Sequence, residues 1–161
     1  MVVRDFRRKK WSPEGSRPHV FIRAGTNLIN TDLYTFCENT DRYLHIWEPG
    51  CHEFLRSVNP YFRHLTLAWL GIPTASTPAG SWQALTEELR ATVPPALPIT
   101  LTAQQAVVSV HGVQVWVERT PELERLAEQT RHAMRTVYGP DAPISHPGPD
   151  WHPHIQIAYG I

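Results

Sequence analysis

Polar and apolar positions along this chain follow two different rhythms, and the switches between them mark out its elements. Stretches rich in β-favouring side chains, several with an apolar residue at every second position, predict strands. They fall at Val20–Ala24, Tyr43–Trp47, His64–Leu70, Leu97–Leu101, Ala106–Val110 and His154–Tyr159. A further strand follows a His111-Gly112 turn, with Val113, Val115 and Val117 alternating along it. Helical spacing governs other segments. Ser81 is the predicted N-cap of a helix running to about Thr92, with Trp82, Leu85 and Leu89 at helical spacing and Pro94-Pro95 ending it. Thr120-Pro121-Glu122 opens another: a capping hydroxyl, a proline at the first helical position and an acid near the positive end of the dipole. Leu123, Leu126, Thr130, Ala133 and Val137 mark its face until Gly139-Pro140 stops it. A shorter helix is expected over Gly50–Val58, stopped by Asn59-Pro60, and a loop over Asp141–Asp150.

This order of elements, without the glycine-rich turns of a dinucleotide fold, predicts an α+β class with helices packed outside an antiparallel or mixed sheet. The prolines gather where elements should stop, around 73–78, 94–98 and 140–149. No internal repeat of simple period and no low-complexity tract interrupts the pattern. At 161 residues the chain is about one domain, long enough to close a hydrophobic core.

Charge changes the picture in two ways. Lys plus Arg number 15 and so do Asp plus Glu, which argues against a protein that grips long nucleic acid electrostatically. The spread is uneven, since residues 1–23 hold seven basic groups against Asp5 and Glu14. Residues 1–18 therefore read as a basic arm, most simply a solvated terminus, ahead of a single domain at 19–161. No apolar run approaches the roughly 18 residues of a bilayer span. The first ten residues carry charge but no apolar stretch of the kind a secretory signal needs. Cys37 and Cys51 are too few for a disulfide framework in a chain this long and read as reduced thiols. The expectation is a soluble, cytoplasmic monomer with no membrane partner.

Candidate chemistry lies in two similar strands, His64-Leu65-Thr66-Leu67 and His154-Ile155-Gln156-Ile157. Residues two apart in a strand share a face, so His64 projects with Thr66 and His154 with Gln156, while the aliphatic residues turn to the core. Set side by side, the strands would offer two imidazoles and two neutral polar groups. That set suits cleavage of a phosphodiester or cyclic phosphate without metal: one imidazole as base, one as acid, and fixed donors for charge on the phosphate oxygens. A lone histidine in a strand is ordinarily structural, and Thr66 alone would be ordinary strand content; the repetition points to a site. His146, His152 and His154 invite a zinc reading, but their spacing fits no standard closed site, and no metal or other cofactor is expected. Cys37, His45, Cys51 and His52 form a looser group still. Trp69, Trp151 and Tyr159 are candidates for stacking on a base at the rim, although large aromatics near strands are more often core.

The string His64-Leu65-Thr66-Leu67-Ala68-Trp69-Leu70-Gly71 resembles the first signature of the 2H phosphoesterases, the RNA 2′,3′-cyclic phosphodiesterases also called 2′-5′ RNA ligases. Pro153-His154-Ile155-Gln156-Ile157-Ala158-Tyr159 resembles the second, where a proline commonly precedes the histidine. The resemblance covers roughly residues 43–160 in element order. It implies two pseudo-symmetric antiparallel-sheet lobes flanked by helices about a central cleft. It also implies that His64 and His154 are the acid–base pair and that Thr66 holds a phosphate oxygen. Gln156 stands where the family has Thr or Ser; its amide can donate but is longer and presents no small hydroxyl at the same place. Members usually continue past the second motif, whereas this sequence ends at Ile161.

The sequence reading is thus a metal-independent phosphoesterase opening a 2′,3′-cyclic phosphate, or cleaving a 2′,5′ link, on a nucleotide or RNA terminus. The alternative is a recruited member that binds a nucleotide or other small ligand without hydrolysis, with Gln156 as its mark.

Overall fold

The computed structural model describes residues 19–23, 35–40, 42, 55–58, 63–93, 99–109, 112–145 and 149–160. Over these the chain is α+β, with an antiparallel sheet and three helices. In order come β1 (His19–Arg23), a helical stretch over residues 35–40 (α1), β2 (Leu55–Ser57) and β3 (His64–Trp69). A 3-10 turn (Thr74–Ser76), α2 (Ser81–Thr92), β4 (Ala103–Ser109), β5 (Gly112–Val117), α3 (Pro121–Tyr138) and β6 (His154–Gly160) follow.

The sheet runs β1-β3-β6-β5-β4, and β2 also pairs with β6. β6 is the hub. β5 lies antiparallel along one of its edges, from Gly112–Tyr159 to Trp116–His154. The other edge is shared: β3 meets it at Leu65–Ile155, and β2 meets it from Ser57–Ala158 to Leu55–Gly160, both antiparallel.

This sharing explains one correction. Gly50–Val58 is not one helix, because Leu55–Ser57 is a strand. Its backbone pairs with the length of β6 beyond β3, and Val58 N adds a bond to Ile157 O at 2.6 Å. A ladder along an open edge outweighs a weak local preference. A second correction concerns Leu97–Leu101. Its described part is not strand, and β4 begins at Ala103, three residues ahead of the expected Ala106. The ladder starts there because Ala103 faces Val117, the last residue of β5 before the chain turns toward α3. The strand expected at Tyr43–Trp47 and the basic arm at 1–18 lie outside the described residues.

Helix ends follow local chemistry. Leu123 N donates to Thr120 Oγ1 at 3.2 Å, so the predicted cap of α3 is in place, with Pro121 as its first residue. At α2 the cap is Gly80, with φ of 77°, and Ser81 is the first helical residue. α3 buries Leu123, Ala127, Thr130, Arg131, Ala133 and Met134, a stripe turned from the expected one. Leu126 and Val137 end half-buried, while Arg131 goes inside and pairs with Glu128 one turn back.

Contacts divide the chain into two units. A helical unit takes in Leu67–Ile99 and Thr120–Trp151, with Ala68, Leu70, Leu85, Ala133 and Met134 wholly buried at its centre. A sheet unit takes in Phe21–Thr66, Thr100–Arg119 and His152–Ile161, with Leu65, Val113, Val115, Val117, Ile155 and Ile157 buried. Within the sheet unit, buried Arg63 donates to Glu38 of α1 at 2.5 Å, and burial pushes the nearby Cys37 thiol up to about 11. No helix among the described residues is long and apolar enough to cross a membrane.

Close packing of β5 on β6 fixes one glycine. Gly112 has φ of 121°, and a Cβ there would overlap Ala158 O and lie 2.8 Å from Tyr159 Cα. Gly112→Ala is expected to destabilise the protein by about 2–3 kcal/mol through strain and displacement of β6. Urea unfolding followed by circular dichroism measures this, and an unchanged midpoint would contradict it.

Candidate active site

Directly opposed residues of an antiparallel pair share a face, and successive residues alternate faces. Leu65 and Ile155 oppose one another and are both 0% exposed, so both enter the core. Their neighbours, His64 and Thr66 on β3 and His154 and Gln156 on β6, therefore project together from the other face. Continuing the register sets His64 across from Gln156 and Thr66 across from His154. The histidines lie on a diagonal, with Cα atoms about 7–8 Å apart in a regular sheet. The local two-fold axis of the strand pair passes between Leu65 and Ile155. It carries His64 onto His154 and Thr66 onto Gln156. All four residues belong to the sheet unit.

β5 extends this face. Gln114 opposes Gln156, and Trp116 opposes His154. Neither was singled out in the sequence, although they fill the polar and aromatic slots between Val113, Val115 and Val117. Gln156 is buried; its Nε2 donates to Ala158 O at 2.5 Å, and its Oε1 accepts from Gln114 Nε2 at 3.1 Å. A carbonyl only accepts, so Ala158 O fixes the direction of the Gln156 amide, which in turn fixes that of Gln114. At this corner the chain has a pair of side-chain amides tied to β5.

His154 is half-buried, with Nδ1 2.9 Å from His152 O. That partner accepts only, so Nδ1 carries the proton and Nε2 is the nitrogen left to exchange one. His64 is also half-buried, its ring 4.6 Å from that of Phe21 and tilted by 45°. Thr66, across from His154 in the register, is half-buried as well.

The aromatic candidates separate. β6 carries a bulge at Ile157, since Gln114 opposes Gln156 but Val113 opposes Ala158. The extra residue shifts the alternation and turns Tyr159 onto the face of His154 and Gln156, where simple period two would have turned it away. Burial pushes its phenol up to about 12. Trp69, 39% exposed, follows the alternation of Leu65 and Leu67 rather than that of His64 and Thr66. It exchanges bonds with Ser145, N to Oγ and Ser145 N to its carbonyl, both 2.9 Å. Trp69 and Trp151 belong to the helical unit. The aromatic beside the second motif is instead Trp116, whose ring lies flat on that of His152, centroids 4.1 Å apart and planes 6° apart. His146 lies outside the described residues, and among those described no three His, Cys, Asp or Glu side chains group as metal ligands would.

Neither a family model nor a curated protein matches the chain.

Two outcomes follow from this geometry. Gln114→Ala leaves the buried Gln156 carbonyl without its donor and should cost about 1–2 kcal/mol. In a double-mutant cycle with Gln156→Ala the two losses should fall short of additive by about 1 kcal/mol, and additive losses would mean no coupling. Tyr159 binds its proton more tightly folded than unfolded, where a tyrosine titrates near 10. Stability should therefore hold below about pH 10 and fall as pH rises toward about 12. Tyr159→Phe should lessen that fall in denaturation measured across the alkaline range.

Proposed function

We propose that this protein is a metal-independent phosphoesterase that opens a 2′,3′-cyclic phosphate, or cleaves a 2′,5′ phosphodiester, on a nucleotide or RNA terminus. One observation carries the reading: the Leu65–Ile155 register sets His64, Thr66, His154 and Gln156 on one face of two adjacent strands. The resemblance of both strands to the 2H signatures supports it, as does the local two-fold that relates the histidines. The two-lobed architecture with a cleft that the resemblance implies belongs to the same proposal.

In this reaction a phosphate sits over the diagonal between the imidazoles. A water oxygen bonds to phosphorus as the bond to the 2′ or 3′ oxygen breaks. One imidazole takes the water's proton, and the other, starting protonated, gives a proton to the leaving oxygen. The product is a monoester beside a free hydroxyl, and proton exchange with solvent resets the pair. His154 acts through Nε2, because Nδ1 is committed to His152 O. The Thr66 hydroxyl stabilises charge on a non-bridging oxygen. Zero net charge favours a nucleotide or a terminus over long RNA.

The second reading, a ligand binder without turnover, draws on a different observation. Gln156 spends its carbonyl on Gln114 and one N–H on Ala158 O, so it does not offer a hydroxyl's freedom to a phosphate.

Hydrolysis of the four nucleoside 2′,3′-cyclic monophosphates in EDTA separates the two. Turnover is expected, with His64→Ala and His154→Ala each lowering it by at least about a hundredfold. A folded wild type that binds nucleotide without hydrolysing it would establish the binder instead. Turnover intact in His64→Ala would sink the two-histidine mechanism.

A further inference from the structure

We propose that Trp116 is a positioning residue for His154, acting through the ring of His152 and the carbonyl behind it; this rests on reading His154 as an acid–base group.

Trp116 opposes His154 in the β5–β6 ladder. Its indole does not merely cover that position but lies flat on the imidazole of His152, 4.1 Å away and within 6° of parallel. His152 is otherwise an exposed residue just ahead of the strand. Its backbone carbonyl is the group that accepts from His154 Nδ1. The direction of that carbonyl decides which nitrogen of His154 carries the fixed proton and where Nε2 points.

Three features hold the carbonyl. Pro153 follows His152 and confines it to extended ψ. Pro153 is buried, and its own carbonyl accepts from Val117 N at 2.8 Å, which ties the peptide to the end of β5. The Trp116–His152 stack then restrains the remaining freedom on the solvent side. The next residue along β5 from Trp116 is Val117, so one short stretch of β5 grips the segment at two places. Without the stack, the His152 peptide can swing away from Nδ1. The neutral imidazole then also populates the Nε2–H form, which has no lone pair toward the substrate. The stack is a support for acid–base chemistry, and the sequence alone did not single out Trp116.

The test compares Trp116→Leu and His152→Ala with the ring-preserving Trp116→Phe and His152→Phe. Nitrogen-15 NMR of the imidazoles in ligand-free protein reads the His154 tautomer. The pH dependence of kcat on a nucleoside 2′,3′-cyclic monophosphate reads its consequence. Trp116→Leu and His152→Ala should mix the tautomers, lower kcat about tenfold with KM little changed, and shift one limb of the pH profile. Both phenylalanine variants should keep the Nδ1–H form and most of kcat, which a merely structural role of either ring does not require. Folded Trp116→Leu or His152→Ala protein still wholly in the Nδ1–H form overturns the proposal. If Trp116→Leu does not fold, His152→Ala decides, because it leaves β5 untouched. If the wild type turns nothing over, the phosphoesterase reading fails, and the tautomer measurement still decides this one.

Discussion

Burial of Leu65 against Ile155 is the constraint from which the rest of the sheet unit takes its arrangement. Each side chain is wholly removed from water, an effect of about 2 kcal/mol apiece. The contact does more than stabilise. A slip of one residue between β3 and β6, with β6 still held by β5, would turn every side chain of β3 to the opposite face. It would expose Leu65 and drive the His64 imidazole and the Thr66 hydroxyl into an apolar core. The hydrophobic contact therefore selects the register, and the register assembles the polar face. The composition of this polar face is specified by residues that point away from it.

β6 bears an unusual share of the topology, and its irregularities are where the face is shaped. One edge carries β5, while the other is divided between β3 and β2. The bulge at Ile157 lets Ile157 and Ala158 both be buried and brings Tyr159 round to the polar side. Gly112 stands opposite Tyr159 on β5, where any side chain would collide with the β6 backbone. The lack of a side chain on β5 and the extra residue on β6 thus meet at one place.

What the sequence made legible was whatever depends on neighbours in the chain. The cap at Thr120, the limits of α3 and the shared face of each His-x-polar strand are local chemistry, and they stand in the structure as read. β2 was not legible as a strand, because its pairing depends on an edge about a hundred residues further along. The burial of Arg131 depends on how α3 is rotated, which helical spacing alone leaves open by a residue. Trp116 and Gln114 were hidden for a similar reason: their alternation was visible, but their closeness to the second motif exists only through the β5–β6 register. Tyr159 is a stacking candidate in the sequence, yet strict alternation would turn it away from the face it shares through the bulge.

The local two-fold that relates the motifs is broken in its chemistry, and the break bears on how the site works on the proposed reading. An acid–base pair cannot be symmetric, since one member must begin with the proton the other lacks. A backbone carbonyl lies behind Nδ1 of His154, and the ring of Phe21 lies beside His64. Thr66 carries a hydroxyl that rotates to meet a partner, whereas its counterpart Gln156 has an amide aimed by Ala158 and Gln114. Gln114, which aims the Gln156 amide, Val117, which donates to Pro153 O, and Trp116, which stacks on His152, all lie on β5. The Gln156 corner is thus oriented by a strand that carries neither motif. On the proposed reading a ligand there would meet an amide held in one direction and would have to match it.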